Sequence, residues 1–316
     1  MHQPLPQDQS VYQDRPFASV IIPVFNDALK LRQCLQALAV QTYGQSCYEV
    51  IVVDNGSGDP EQVFAAVDEY PFAIATQELT PGSYAARNRG LALAQGEVIA
   101  FTDADCIPNP DWLETGVSIL TATPNCGLVA GQIQLFFVNP EGPTMVELYE
   151  SLRALPQREF VEQHHYGATA NVLTTRQVID RVGEFDSRFK SSGDAEWGQR
   201  VHACGYQLVY AEAVVVRHPT RSSWREFYGR TRRLAGGHYD LQLRKAKTAW
   251  QRQLVFLQLL VQGLTPPVFF AISVFSDARL KGVGQKLKVS WVMILVRYIG
   301  VWETLRLKLG GASCRA

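Results

Sequence analysis

Nowhere in the chain do two cysteines stand as CxxC. Cys34, Cys47, Cys106, Cys126, Cys204 and Cys314 are scattered along 316 residues, which excludes a zinc cluster or a disulfide framework read from spacing and suits a reducing, cytosolic setting. Net charge is missing as well: thirty Lys and Arg balance thirty Asp and Glu. Nothing in the bulk charge therefore calls for a nucleic acid, and any anion must be held locally. The loop PVFNDALK after the first apolar strand lacks GxGxxG, and no GxxxxGK[ST] occurs, so the dinucleotide-binding and P-loop readings both fall away. Residues 1–16 have no apolar stretch of the kind a secretory signal needs and are expected to form a loose tail. A clean membrane-length run is absent too. Leu254 to Phe275 is interrupted by Gln258, Gln262, Gly263, Pro266 and Pro267, and Val289 to Trp302 carries Arg297. There is no internal repeat.

What is present is a large apolar fraction, 47%, against 19% charged residues, enough for one large domain with an appendage. Strand-like runs alternate with helical spacing through the first third. Ser19 to Pro23 ends at a proline, and Leu31, Leu35 and Leu38 then recur at helical spacing behind Asn26 or Asp27 as a cap. Glu49 to Asp54 (EVIVVD) runs into the turn signal Asn55-Gly56-Ser57-Gly58. A weak strand at Phe72 to Thr76, a helix within Pro81 to Ala94 and a strand at Glu97 to Thr102 follow. The alternation predicts an α/β, largely parallel, doubly wound sheet whose loops after the strands gather on one edge, where ligands bind in such folds. Further on, strands are expected at Gly127 to Phe137, Ala168 to Leu173 and Gln207 to Val216. A helix is expected within Thr144 to Glu162, and another after the polar loop Phe185 to Trp197, with Val201 and Cys204 toward the core.

Asp103-Ala104-Asp105 places two carboxylates one residue apart after a buried strand. If the extended geometry persists, both aim to one side and suit a hard divalent cation, Mg2+ or Mn2+. Taken singly, each feature has a plain structural reading: the D-x-D as a surface turn, Asp54 as a turn cap, Arg87 as a solvated helix residue, Pro23 as a strand terminator. Their order along the chain is more specific. Pro23-Val24-Phe25-Asn26, Asp54-Asn55-Gly56-Ser57, Ala86-Arg87-Asn88-Arg89-Gly90 and Asp103-Ala104-Asp105 follow one another in a series that resembles the nucleotide-binding half of a family 2 GT-A glycosyltransferase, with fair spacing from about Ala18 to Ile107 and less tightly to about His218.

The resemblance implies a GT-A fold, a doubly wound mixed sheet flanked by helices, with a C-terminal helical, partly apolar extension. It divides the chain into a GT-A domain over 17–220, with a nucleotide-binding half at 17–107 and an acceptor half at 108–220, and a basic, apolar region at 221–316. It further implies an inverting, metal-dependent transfer from a nucleotide diphosphate sugar, a UDP-sugar in the first instance, to an acceptor hydroxyl; the apolar C-terminus points to a lipid-linked or envelope polysaccharide acceptor. Pro23, Val24, Phe25 and Asn26 would line the base pocket, Asp54 would accept from the base, and Arg87 would hold the nucleotide. Asp103 would lie near the ribose and the metal, with Ala104 beside it in the nucleotide-sugar site, and Asp105 would ligate Mn2+ or Mg2+, with His218 after Val214-Val215-Val216 as a second ligand or an ordinary surface or packed histidine. Asp194 would be the general base or merely a helix cap. In the resembled family an acidic pair stands there, whereas this chain reads Gly193-Asp194; Glu196 is two positions on and, on a helix, faces elsewhere. Ala170, Asn171, Glu196 and Trp197 are candidates for the acceptor side.

The stretch Arg221, Arg225, Arg230, Arg232, Arg233, interleaved with Trp224, Phe227 and Tyr228, has three open readings: a diphosphate contact, a face toward anionic lipid, or a solvated helix face. Basic residues Arg252, Lys281, Lys286 and Lys288 flank the apolar runs, so a peripheral or re-entrant position on the cytoplasmic side of the membrane is expected, with a soluble helical hairpin as the alternative. Two other functions stand beside the transferase reading: a silent sugar-nucleotide-binding protein, kept open by the missing acid at Gly193, and a nucleotidyltransferase.

Overall fold

The structure, a computed structural model, describes residues 15–314; of the expected loose tail at 1–16, positions 1–14 lie outside the described residues. In chain order the elements are β1 (Ala18–Val24), α1 (Ala28–Leu38), β2 (Tyr48–Asp54), α2 (Pro60–Val67), β3 (Ala73–Gln77), α3 (Ser83–Leu93), β4 (Val98–Thr102), β5 (Ile107–Pro108), α4 (Trp112–Ala122), β6 (Cys126–Phe136), α5 (Met145–Arg153), α6 (Gln157–His164), β7 (Asn171–Thr175), α7 (Arg176–Val182), α8 (Gly193–Ala203), β8 (Gln207–Pro219), α9 (Trp224–Lys245), α10 (Ala249–Leu264), α11 (Val268–Ser276) and α12 (Gly282–Lys308).

One eight-stranded sheet runs β3-β2-β1-β4-β7-β6-β8-β5. The β3-β2-β1-β4 half is parallel, with Ile21 opposite both Ile51 and Phe101. β7 then enters antiparallel between β4 and β6, with Thr102 opposite Asn171, and β6 and β8 are parallel. β1 and β2 read as continuous apolar runs because helices cover both their faces; Val20, Ile21, Ile22, Val50, Ile51, Val52 and Val53 are all out of solvent. α1 buries Leu31, Cys34, Leu35 and Leu38 on one stripe, although Asp27 makes no capping hydrogen bond and pairs with Lys30 at 2.7 Å.

Several sequence expectations shift. The helix expected within 144–162 is two helices, because Leu155 turns to φ 53 ahead of Pro156, a residue whose ring keeps its predecessor out of the helical region. The strand expected at Ala168 begins at Asn171, where pairing with β4 starts. β8 does not stop at Val216 before a loop: it stays paired with β6 through Pro219, so His218 is a strand residue opposite Leu135. Cys204 is exposed, whereas Val201 is buried.

The C-terminal helices are joined to the rest by shared packing. Phe227 of α9, Val274 of α11 and Val289, Val292 and Met293 of α12 close on Val146, Leu148 and Tyr149 of α5. Glu150 of α5 is almost wholly buried between Arg221 at 3.4 Å and Arg230 at 3.6 Å, and also accepts from the Arg221 backbone amide at 2.8 Å. Removing the carboxylate strands two guanidinium groups, so Glu150→Ala is expected to cost about 3–5 kcal/mol, read as a lower urea midpoint with an unchanged slope.

Candidate active site

The loops that follow β1, β2 and β4 converge on a cleft of about 370 Å³ lined by Pro23, Val24, Phe25, Asp27, Asn55, Pro81, Gly82, Ser83, Arg87, Asp103, Ala104, Asp105, Lys190 and Arg233. It opens at the carboxyl ends of the parallel strands, where chain ends of successive β-α units leave room for a ligand. A wider depression of about 770 Å³, bordered by Gln95-Gly96-Glu97 and Arg176 to Arg181, lies at the amino end of β4 and has no such carboxylate pair.

β1 delivers Pro23, Val24 and Phe25 to the wall, and the Phe25 ring is 54% exposed, a flat apolar surface presented to the cleft. Two side chains hold this wall in place. Asn26, in the left-handed region at φ 53, accepts from the Gly58 amide at 2.8 Å, and its own amide donates to Ser57 Oγ at 2.8 Å. Asn55 donates to the carbonyls of Glu78 and Thr80 and accepts from the Gly82 amide at 2.6 Å, which fixes the Pro81-Gly82 turn and the start of α3 beside the cleft.

α3 contributes the next layer. Arg87 is buried, not solvated, and its guanidinium reaches Asp103 at 2.5 Å with its Nε unpartnered. Asn88 grips the loop before α8 by donating to the Phe185 carbonyl at 2.8 Å and accepting from the Phe185 amide at 3.1 Å. Tyr84 donates to Asp194 Oδ1 at 3.2 Å, and the Ala195 amide donates to the same oxygen at 3.0 Å. Burial is the largest influence on Asp194 and raises its carboxyl above the usual range, while Arg87 and these hydrogen bonds pull the other way. Burial likewise pushes the Tyr84 phenol up, so it remains a donor.

Gly193 owes its place to that tyrosine. A Cβ there would stand 2.6 Å from Tyr84 Cε2, closer than any real contact, so the ring occupies the volume a side chain at 193 would need. Gly237 of α9 meets the same loop from the other side, where a Cβ would fall 2.5 Å from Ser191 Cβ. That close approach lets α9 aim Arg233 into the cleft. No hydrogen bond or ion pair among the described residues engages the Arg233 guanidinium.

Asp103-Ala104-Asp105 does not stay extended. It forms a turn closed by the Cys106 amide donating to the Asp103 carbonyl at 3.0 Å, which sends Asp103 to Arg87 and Asp105 to His218. His218 Nε2 is 3.4 Å from Asp105 Oδ2, and its Nδ1 lies 2.7 Å from the Pro219 carbonyl, an acceptor that engages Nδ1 and leaves Nε2 as the nitrogen that faces Asp105. Cys106 completes a triplet within 4.8 Å, but burial beside Asp105 and Asp103 pushes its thiol well up, so it stays protonated.

Residues 19–183 match the family model described as Glycosyl transferase family 2. The chain belongs to this family. Among its curated relatives, glycosyltransferase AglE of Haloferax volcanii is 39% identical over 211 residues, 65% of this chain and 68% of that one. The pre-mycofactocin glycosyltransferase of Mycobacterium tuberculosis is 28% identical over 318 residues, 94% of this chain and 64% of the relative. This family 2 chain thus spans about two thirds of the length of these relatives. Among solved structures, the mannosyltransferase PcManGT from Pyrobaculum calidifontis in complex with GDP-Man and Mn2+ matches with a TM-score of 0.62 at 20% identity, over 93% of this chain and 87% of that one. That likeness shows the GT-A fold.

Not every expected residue of this family 2 transferase reaches the cleft. Asp54 is fully buried behind it, accepting from the Gly56 and Ser57 amides at 3.2–3.3 Å and from Gln77 at 3.1 Å, so its role in the structure is to close the turn that carries Asn55. Asn171 is inside the sheet, donating to the carbonyls of Gln132 and Val214 and accepting from Trp112; Ala170 is buried with it, its carbonyl accepting from Thr102. Glu196 turns away to Arg200 at 2.8 Å. Trp197 packs on Phe185 with centroids 5.2 Å apart. Tyr84 and Lys190 were not singled out by sequence, because their neighbours in the cleft are remote along the chain. Arg233 was at least visible as one member of the basic stretch, which the fold divides: Arg221 and Arg230 go to Glu150, Arg232 to Glu303 at 3.1 Å, and Arg233 to the cleft.

Proposed function

We propose that this glycosyltransferase moves a sugar from a nucleotide diphosphate sugar to an acceptor hydroxyl by metal-dependent, inverting displacement. The observation that carries the reading is the convergence of Asp103, Asp105, Arg87, Lys190 and Arg233 on one cleft, with His218 beside Asp105 and Asp194 tied to the same helix that bears Arg87. On this reading the exposed Phe25 ring stacks on the base and Pro23 and Val24 form the apolar side of that pocket, with Asn26 and Asp54 shaping the loops from behind. Asp103 and Ala104 lie on the ribose side. Arg233 carries positive charge toward the diphosphate, where a guanidinium binds phosphate oxygens in a fork, and Lys190 borders the same cleft with its ammonium donating to the Ser313 carbonyl.

Asp105 and His218 suit Mn2+ or Mg2+: a carboxylate oxygen and an imidazole nitrogen face each other, while the protonated Cys106 is no ligand for a hard cation. Bound there, the ion would act as a Lewis acid toward the leaving diphosphate. Asp194, held by Tyr84 and the Ala195 amide, takes the proton of the acceptor hydroxyl as that oxygen attacks from the face opposite the leaving group, so the anomeric configuration inverts. The catalytic domain on this reading is 17–220, with the nucleotide in 17–107 and the acceptor in 108–220; the region 221–316 completes the donor cleft through Arg233. The acceptor is a sugar or a lipid-linked glycan.

Incubation with UDP- and GDP-sugars, the latter included because the solved neighbour holds GDP-Man, tests the proposal through release of free nucleoside diphosphate. Release with Mn2+ or Mg2+ that stops in EDTA and returns on adding metal is the expected result, with the product anomer inverted by proton NMR. Undiminished release in EDTA would remove the metal from the mechanism, and a retained anomer would remove Asp194 from its role.

A further inference from the structure

We infer that α10, α11 and α12 form a docking surface for an anionic phospholipid bilayer, a binding function separate from the transfer chemistry. α10 buries none of its residues. Leu257, Val261 and Leu264 of α10 and Phe269 and Ile272 of α11 are exposed together around the Pro266-Pro267 elbow, Phe269 to 90%. Single exposed apolar residues are ordinary on a soluble surface; a contiguous set on two successive helices is not.

Charge identifies the occupant. Between Lys247 and Cys314 stand nine Lys and Arg against two acidic residues, Asp277 and Glu303. Neither acid is free: Arg279 holds Asp277 at 2.6 Å, and Glu303 is buried against Arg232 and Arg306. The region therefore presents only positive charge beside its apolar elbow, the combination that favours anionic headgroups with acyl chains beneath them. Trp250, Trp291, Tyr298 and Trp302 are exposed on the same helices, the amphipathic rings that settle at the headgroup level.

The surface rests on the bilayer through this elbow. No single helix among the described residues is long and apolar enough to span; α10 and α11 reach that length and composition only as a pair, and the pair is bent by 43°. α11 has nine residues, about 14 Å of helix at 1.5 Å per residue, roughly half a hydrocarbon core. The bend is held from behind: Arg297 of α12 donates to the carbonyls of Gln262 and Thr265, two groups close to the break that the prolines create. The elbow thus enters as a preformed wedge, with its guanidinium at headgroup depth.

The test is co-flotation of the full chain with vesicles of phosphatidylcholine alone or with about a third phosphatidylglycerol, at low and high salt. Recovery at least tenfold greater with the anionic vesicles, weakened by salt, is expected. Val261→Glu/Phe269→Glu is expected to abolish recovery, and Lys281→Glu/Lys286→Glu/Lys288→Glu to erase the anionic preference, both with unchanged thermal melting and unchanged nucleoside diphosphate release in detergent-free buffer. Because vesicle binding needs no turnover, it stands or falls apart from the proposed mechanism. Equal recovery with both vesicles, undiminished recovery of the first variant, or no recovery of the wild type overturns the inference. So does light scattering that shows a wild-type dimer converted to monomer by Val261→Glu/Phe269→Glu while vesicles recover neither, since a second copy would then be the occupant.

Discussion

Asp194→Asn is expected to lower kcat by about 10²- to 10⁴-fold, the usual worth of a positioned general base, without loss of stability at neutral pH. The two halves of that expectation come from one cause. Burial raises the Asp194 carboxyl above its ordinary range, so the folded protein binds this proton more tightly than the unfolded chain does. The group's contribution to stability is then full below the unfolded carboxylate value of about 3.9 and is lost as pH rises through the higher folded value. At neutral pH the ionised carboxylate is a cost to the fold, which the amide removes. A base must be ionised to act, so the acidic limb of kcat/KM should lie above the ordinary aspartate range. Tyr84→Phe keeps the ring over Gly193 and deletes the donor to Asp194 Oδ1. That donor favours the charged form, so its loss should move the limb further upward, with a smaller fall in kcat than Asp194→Asn gives. Urea melts and pH profiles of the two variants check both signs. A destabilised Asp194→Asn with an unshifted limb would mark the residue as a structural cap.

The same loop shows what a sequence can and cannot say. Gly193 stands where the resembled family has an acid, and in the sequence this counted against activity. In the fold Tyr84, 109 positions earlier, fills that volume and hydrogen-bonds the neighbouring aspartate. No local pattern announces the exchange, because it is made between a helix start and a distant loop. Strands β1, β2 and β4 were legible since each is an apolar run closed by a sharp turn or polar signal. α2, α4 and α7 were not anticipated, and β7 was placed three residues early, because the apolar run from Ala168 gives no sign of where pairing with β4 begins. The order of the motifs correctly pointed to the glycosyltransferase family and the GT-A fold. It misplaced Asn171 and Trp197, whose polar atoms are spent inside the core on Gln132, Val214 and Gly183, because residue type and neighbourhood along the chain do not reveal which way a strand or helix faces.

Asp105→Ala is expected to reduce turnover by on the order of 10²- to 10³-fold, comparable with removing one donor from a site that stabilises developing negative charge. His218 engages the Pro219 carbonyl through Nδ1 at 2.7 Å, so Nε2, 3.4 Å from Asp105 Oδ2, is the nitrogen left to share a cation with that carboxylate. Activity alone cannot separate a lost ligand from a distorted loop, but thermal melting can. A ligand that binds only the folded state stabilises it by about 2.7 kcal/mol at a hundred times its Kd. Wild type should therefore melt higher in Mn2+ than in EDTA, and Asp105→Ala and His218→Ala should lose most of that difference while melting near the wild type in EDTA. Asp105 is partly exposed, so its removal leaves no buried charge behind. If the Mn2+ shift survives in Asp105→Ala, the ion is bound elsewhere, and Asp105 serves the cleft by shaping the turn between β4 and β5 instead.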